Sequence, residues 1–352
     1  MQKANQNMAN LSILSNEKNR RIVWIDMLKG ILLFLICIGH FGELPLFIEY
    51  IIKPTAMYYV PLFFVISGYL FSIKRKDFFL RKLQTLLLPY ICFSILFIII
   101  DWNTWLHQFD CLSNNLIQAF WYGKGVLKAA PLWFLITLFF SSCVTFLILK
   151  YIKSVFVQII CMLLLSSVSI VLSIYEFSYP LLFHIVPSAT FFLMTGYFVN
   201  KLMKRGNNIF LSIICLLIGS VGFFIDLGDM HFNIINCYPL FFICPISMGY
   251  GIFSLVRNYE YRLNNLFVSI CEWIANNGIT ILAFHCWLVF LFDNLVKIIP
   301  FLDNYKYVLF IAKLVFVSFI LYIIIVPFVN KYFYWIVGKK KIEWKESYIQ
   351  LK

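Results

Sequence analysis

Of the chain's 352 residues, 62% are hydrophobic and only 13% charged, with a mean hydropathy of +0.86. Such a composition cannot cover a soluble core with a charged, solvated surface, so it excludes an ordinary soluble enzyme and predicts a polytopic membrane protein. The net charge of +13 invites a nucleic-acid reading, but Lys and Arg stand in short runs between apolar stretches, as topology signals do, and no nucleic-acid partner is expected.

The polar residues 1–21 read as a cytoplasmic tail. Apolar runs of about 17 to 25 residues, the length that crosses a bilayer, follow near 22–42, 57–73, 84–101, 131–149, 154–174, 181–200, 209–226, 235–256, 276–298 and 307–329, and a second tail covers 331–352. Ile31 to Ile38 and Ile91 to Ile100 are almost continuously apolar, unlike the alternating strands of a barrel. The expected fold is therefore all-α: a bundle of about ten transmembrane helices in one integral-membrane domain over 1–352. Of the 29 Lys and Arg, 22 fall in the tails and in the loops on their side, five in the opposite loops, and two, Lys29 and Lys313, inside helices. This places both termini in the cytoplasm. The opposite loops are acidic at Glu43/Glu49, Glu176 and Asp226/Asp229, and the alternation supports the helix count independently.

The connection from Asp101 to Ala130 carries Trp102, Trp105 and Trp121, expected as an interfacial aromatic belt, with a sugar-stacking surface as the alternative. Most of the ten cysteines lie in apolar stretches and pack as small hydrophobes. No pair has zinc-site or redox spacing, and only Cys111 and Cys237, in or near outer loops, are placed for a bridge.

Ionisable groups at depth are the better guide, because a charge at mid-helix costs about 2.5 to 3.5 kcal/mol on insertion scales. Asp26 and Lys29, three apart, can pair to reduce that cost. Lys29 and His40 are eleven apart, close to three helical turns, and so share one face of the first span. At 1.5 Å per residue His40 lies about 27 Å from the helix start, near the far edge of a core about 30 Å thick, with Lys29 about 16 Å back toward the cytosol. Glu43, one turn on, offers a carboxylate to orient the imidazole. The bland alternative for Asp26 and Lys29 is an ion pair near the inner boundary, and for His40 a satisfied structural histidine.

The segment Trp24-Ile25-Asp26 through Lys29-Gly30 to Gly39-His40 resembles the first helix of the ten-helix acyltransferase-3 family. The likeness continues through Pro61-Leu62-Phe63-Phe64-Val65-Ile66-Ser67-Gly68-Tyr69, Pro89-Tyr90, Pro131-Leu132-Trp133-Phe134-Leu135, Phe191-Phe192 with Gly196-Tyr197, and Gly278-Ile279-Thr280 leading to His285. Within that family the chain looks like the branch that includes fucose acetylase-like and other polysaccharide O-acetyltransferases. Many relatives have Arg where this chain has Lys29, which keeps the charge and loses the bidentate fork. Tyr59 stands where relatives often have histidine, and Thr85 where they tend to have a second basic residue.

The resemblance implies an enzyme of a bacterial inner or plasma membrane that moves an acetyl or similar acyl group from cytosolic acyl-CoA to a hydroxyl of a surface glycan or its lipid-linked precursor. Acyl-CoA would be a substrate, with no permanently bound cofactor and no metal. The anionic donor would meet Lys29 and the basic stretch Lys74, Arg75, Arg81 and Lys82, of which Arg81 and Lys82 are the chosen contacts; topology determination alone is the alternative. His40 is expected as general base, with Glu43 orienting it, Ser67 and Tyr69 as polar helpers, Asp26 supporting Lys29, and His285 in the site on resemblance. A glycan flippase or a membrane glycan polymerase is the alternative class, although no internal symmetry of a transporter is visible. The acceptor and the choice of acetyl or succinyl stay open.

Overall fold

The computed structural model of the protein describes residues 22–74, 76–100, 109–125, 127–177, 179–206, 208–259, 262–297 and 305–339. They form, in chain order, helices α1 (Val23–Gly39), α2 (Leu46–Tyr69), α3 (Phe78–Ile100), α4 (Phe109–Leu116), α5 (Lys128–Tyr151), α6 (Val155–Ile174), α7 (Val186–Arg205) and α8 (Ile209–Phe223). A two-stranded hairpin, β1 (Gly228–Asp229) and β2 (Ile234–Ile235), precedes α9 (Leu240–Tyr259), α10 (Asn265–Asn276), α11 (Gly278–Val296) and α12 (Lys306–Tyr332).

The all-helical membrane architecture stands: among the described residues, eight helices are long and apolar enough to cross a bilayer. They are α2, α3, α5, α6, α9, α11, α12 and α7 with its short lead-in from Pro180. The expected spans near 22–42 and 209–226 form shorter helices, α1 with 17 residues and α8. Helix α2 starts at Leu46 rather than near 57, because Glu49 and Lys53 lower the local hydropathy yet pair with each other one turn apart and suit a helix. Helix α10 lies where the sequence suggested a connection. It is too short to cross, and the Asn264 side chain caps it by accepting from the Leu266 and Phe267 amides at 2.8 and 3.4 Å.

In both α3 and α12 a π-helical turn, over Leu83–Leu87 and Leu321–Ile325, comes just before a proline, Pro89 and Pro327. Proline supplies no N–H to the preceding turn, so the wider ladder meets it there.

Close packing around the site depends on glycines. Helices α2 and α7 touch at Gly68 and Gly196, where an added Cβ would sit 1.8 Å from the Leu193 carbonyl oxygen and 1.9 Å from that of Val65. Helix α1 meets α10 at Gly30, where a Cβ would lie 2.2 Å from the Cys271 oxygen. Lipid tails are as apolar as side chains, so close backbone approach supplies the association that hydrophobicity supplies in water. Gly196→Ala must push two helix backbones apart, and we expect a markedly lower melting temperature in detergent with poor recovery of folded protein. A melting curve superimposable on the wild type would contradict this packing.

Cys237 carries a free thiol, and the side chain of Cys111 lies outside the described residues, as do Trp102 and Trp105 of the expected aromatic belt. Trp121 is exposed just past α4.

Candidate active site

The α1 residues Lys29, Leu33, Ile36 and His40 recur at helical spacing along one face, and all four line a single cavity of about 710 Å³. Helix α2 contributes Tyr59 and Ser67 to the opposite wall, and α5 contributes Trp133. Near His40 the wall is completed by Asp226, Asp229 and His231 from the hairpin region. The chamber's lining is largely apolar, with a smaller set of polar groups among it.

His40 lies at the C-terminal end of α1, exposed on the chamber side, with Nδ1 2.8 Å from the Ile36 carbonyl oxygen. A carbonyl oxygen only accepts, so Nδ1 carries the proton and Nε2 holds the lone pair. His285 repeats the arrangement on α11, its Nδ1 2.8 Å from the Ile281 oxygen. The two rings meet edge to face with centroids 5.1 Å apart, and His285 is fully buried behind His40. The packing of α11 against α1 brings the two rings into contact.

Glu43 does not reach His40. Its carboxylate pairs with Lys306 at 3.2 Å on an exposed surface, and the imidazole is oriented by its own helix through Ile36. An exposed pair of this kind contributes little.

A different cation secures this end of α1. Lys313, buried on α12, donates to the Phe41 carbonyl at 2.7 Å and pairs with Asp293 of α11 at 2.6 Å. One ammonium thus ties the residue after His40 to the helix that carries His285. The sequence held the signal, since Lys313 was the second cation inside an apolar run, but no partner was visible near it.

At the other end, Lys29 lines the chamber while donating to Asp26 at 3.1 Å; Asp26 stays off the chamber wall. Ser67 faces the chamber, whereas Tyr69 packs edge-on against Trp24 with centroids 5.2 Å apart and approaches Phe253 at 6.3 Å. Arg81 lies outside the chamber, in a separate recess of about 880 Å³ with Lys76, Gln84, Thr85 and Lys339. Lys82 sits beside the rings of Phe71 and Phe78 at 6.0 and 5.8 Å. Arg75 lies outside the described residues. Tyr59, at the position where relatives often carry histidine, lines the chamber and donates to the Ile52 oxygen at 3.2 Å.

His231 has no recognisable motif around it in the sequence. It stacks on Trp133, with ring centroids 4.5 Å apart and planes at 16°, and burial pushes its pKa down to about 4 against the opposing pull of Asp229. Asp229 accepts from the His231 amide at 2.7 Å, and Asp226 accepts from the Gly228 amide at 3.0 Å and from Asn236 Nδ2 at 2.8 Å. Gly228 has φ +108°, and a Cβ there would meet the Ile234 oxygen at 2.1 Å, so the hairpin requires glycine.

Fold and site together define a polytopic membrane protein with an internal chamber in which a cation and a histidine with a free lone pair share one wall. Residues 22–327 match the family model Acyl_transf_3, described as an acyltransferase domain, and the chain belongs to that family. No curated protein and no solved structure matches it. The protein is a membrane acyltransferase.

Proposed function

We propose that the enzyme is an O-acyltransferase that moves an acetyl group, or a similar acyl group, from cytosolic acyl-CoA to a hydroxyl of a cell-surface glycan or its lipid-linked precursor. In this reading it is one ten-span domain with both termini in the cytoplasm of a bacterial plasma membrane, resembling the fucose acetylase-like branch. The observation that carries it is that Lys29 and His40 line one continuous cavity. At about 16 Å apart along α1, they suit a donor whose charged part stays at the Lys29 end while its thioester reaches the imidazole.

His40 Nε2 takes the proton of the acceptor hydroxyl as its oxygen attacks the thioester carbonyl carbon. The tetrahedral intermediate then collapses with cleavage of the C–S bond, and the leaving thiolate receives the proton back from His40. Ile36 holds the required tautomer throughout, because its carbonyl keeps the Nδ1 proton. His285 supports His40 from behind, and Asp26 holds the Lys29 ammonium in place.

Arg81, Lys76 and Lys339, against the single carboxylate of Asp77, give the recess an excess of positive charge that suits nucleotide phosphates, and Lys82 stands next to Arg81 in sequence. At the opposite end, Trp133 and the neutral His231 ring present apolar faces beside the Asp226 and Asp229 carboxylates, the combination a sugar needs from its binding site. Two variants separate the substrates. Arg81→Ala should raise the donor KM about three- to tenfold with the acceptor KM unchanged, and His231→Ala should do the reverse. Steady-state kinetics with each substrate varied in turn checks both.

The function itself is tested by supplying radiolabelled acetyl-CoA to membranes that contain the protein and an endogenous lipid-linked or polymeric glycan. Label is expected in an alkali-labile ester on the sugar. If it never leaves CoA in the protein's presence, or appears only on protein, the O-acyl transfer reading is wrong.

A further inference from the structure

We infer that His40, His285 and Cys286 together form a binding site for a zinc-class divalent cation, and that filling it switches the enzyme off. The switching rests on the reading of His40 as base; the site itself does not. A ring nitrogen of each histidine and the Cys286 sulfur all lie within 4.8 Å of one another, with Cys286 Sγ 3.4 Å from His285 Nε2. Both Nδ1 protons are committed to main-chain carbonyls, at Ile36 and Ile281. That is the outer-shell bond which fixes the tautomer of a metal-ligating imidazole; it leaves the His40 Nε2 lone pair open and turns that of His285 to the Cys286 thiol, whose proton a bound metal would displace.

Two imidazole nitrogens and one thiolate select zinc over magnesium or calcium, which take oxygen ligands. Three protein ligands leave a fourth position open, and His40 lies on the chamber wall, so water can fill it. With Zn–N about 2.0 to 2.1 Å and Zn–S about 2.3 Å, tetrahedral N–N and N–S pairs stand about 3.3 to 3.6 Å apart. Cys286 Sγ and His285 Nε2, at 3.4 Å, already fit, and the spacing to His40, within 4.8 Å, is one that a small rotation of the exposed His40 side chain can close. Binding exchanges the Cys286 thiol proton for the metal and releases that proton to buffer. It also occupies the His40 lone pair, so the acceptor hydroxyl loses its base. The helices need no metal to hold them here, since Lys313 already joins α1, α11 and α12. The cation is therefore an inhibitor and not a structural element.

The experiment uses the full chain in lipid nanodiscs, with Zn²⁺ for inhibition, Mg²⁺ as control and Cd²⁺ as the optical probe. Micromolar Zn²⁺ should suppress acyl transfer, and a chelator should restore it, while Mg²⁺ has no effect. Cys286→Ala should keep the metal-free rate, need at least tenfold more Zn²⁺ for half-inhibition, and lose a sulfur-to-metal charge-transfer band that Cd²⁺ raises in the wild type. The inference is overturned if Cys286→Ala is inhibited at the wild-type concentration or if the two proteins give the same Cd²⁺ band. A Cys286-dependent band with no inhibition by Zn²⁺ upholds the site and overturns the switch, and with it His40 as base. Should the wild type transfer no acyl group at all while the Cys286-dependent band persists, the site stands and the proposed function falls.

Discussion

His40→Ala is expected to reduce acyl transfer by about 10² to 10⁴, the usual contribution of a positioned general base, or about 3 to 5 kcal/mol in the barrier. The protein should remain folded, because the ring faces a cavity and its Nδ1 bonds a carbonyl of its own helix. Binding should also survive, since in the proposed reading the donor's charges are met by Lys29 and Arg81 rather than by the imidazole. The fall should thus appear in kcat with KM for acyl-CoA nearly constant. Glu43→Gln serves as a control: its carboxylate pairs with Lys306 at an exposed surface, and transfer should stay within about twofold of wild type. Purified variants that elute as the wild type does, assayed with labelled donor, decide the matter. An active His40→Ala enzyme would move the base elsewhere.

The second large effect concerns Lys313 and Asp293, and it should be asymmetric. The Lys313 side chain is 10% exposed and that of Asp293 is 42% exposed. Removing the lysine leaves a carboxylate that can still meet solvent, whereas removing the carboxylate leaves a buried ammonium with no counter-charge among the described residues around it, held by the Phe41 carbonyl and the Phe292 ring. Breaking a buried pair from one side costs about 3 to 5 kcal/mol, and the exposure of Asp293 reduces that figure here. Asp293→Ala should therefore destabilise more, by about 2 to 3 kcal/mol, than Lys313→Met at about 1 kcal/mol.

Activity should rank the other way. Lys313→Met frees the Phe41 carbonyl, the end of α1 drifts, and His40 loses its aim, so kcat should drop about tenfold with KM unchanged. Asp293→Ala keeps the bond to Phe41 and should retain more of the rate in whatever fraction is folded. Thermal unfolding and single-turnover transfer on the same preparations separate the two rankings. If both variants lose activity only in proportion to folded protein, Lys313 is purely structural.

Periodicity, composition and depth were sufficient to read much of this molecule. Long apolar runs must become helices in lipid, because no water is present to satisfy a free backbone, and every expected run overlaps a helix, although among the described residues only eight helices are long and apolar enough to cross. The eleven-position step from Lys29 to His40 places both on one face by helix geometry alone, and the chamber lies along that face. Pairing of Asp26 with Lys29 was equally local. Other features involve residues far apart in the chain, and sequence spacing does not reveal which helices touch. His40 and His285, 245 positions apart, meet because α1 and α11 pack together. The Lys313 bond to Phe41, the stack of His231 on Trp133, and the arrival of Cys286 beside two imidazoles arise in the same way. Hydropathy also missed α10 and the first turns of α2, where ion pairs and caps stabilise helix without raising apolar content. What the chain's own order determined is each helix and the face it presents; which faces meet was decided by glycine contacts and buried charges, whose partners only the folded bundle identifies.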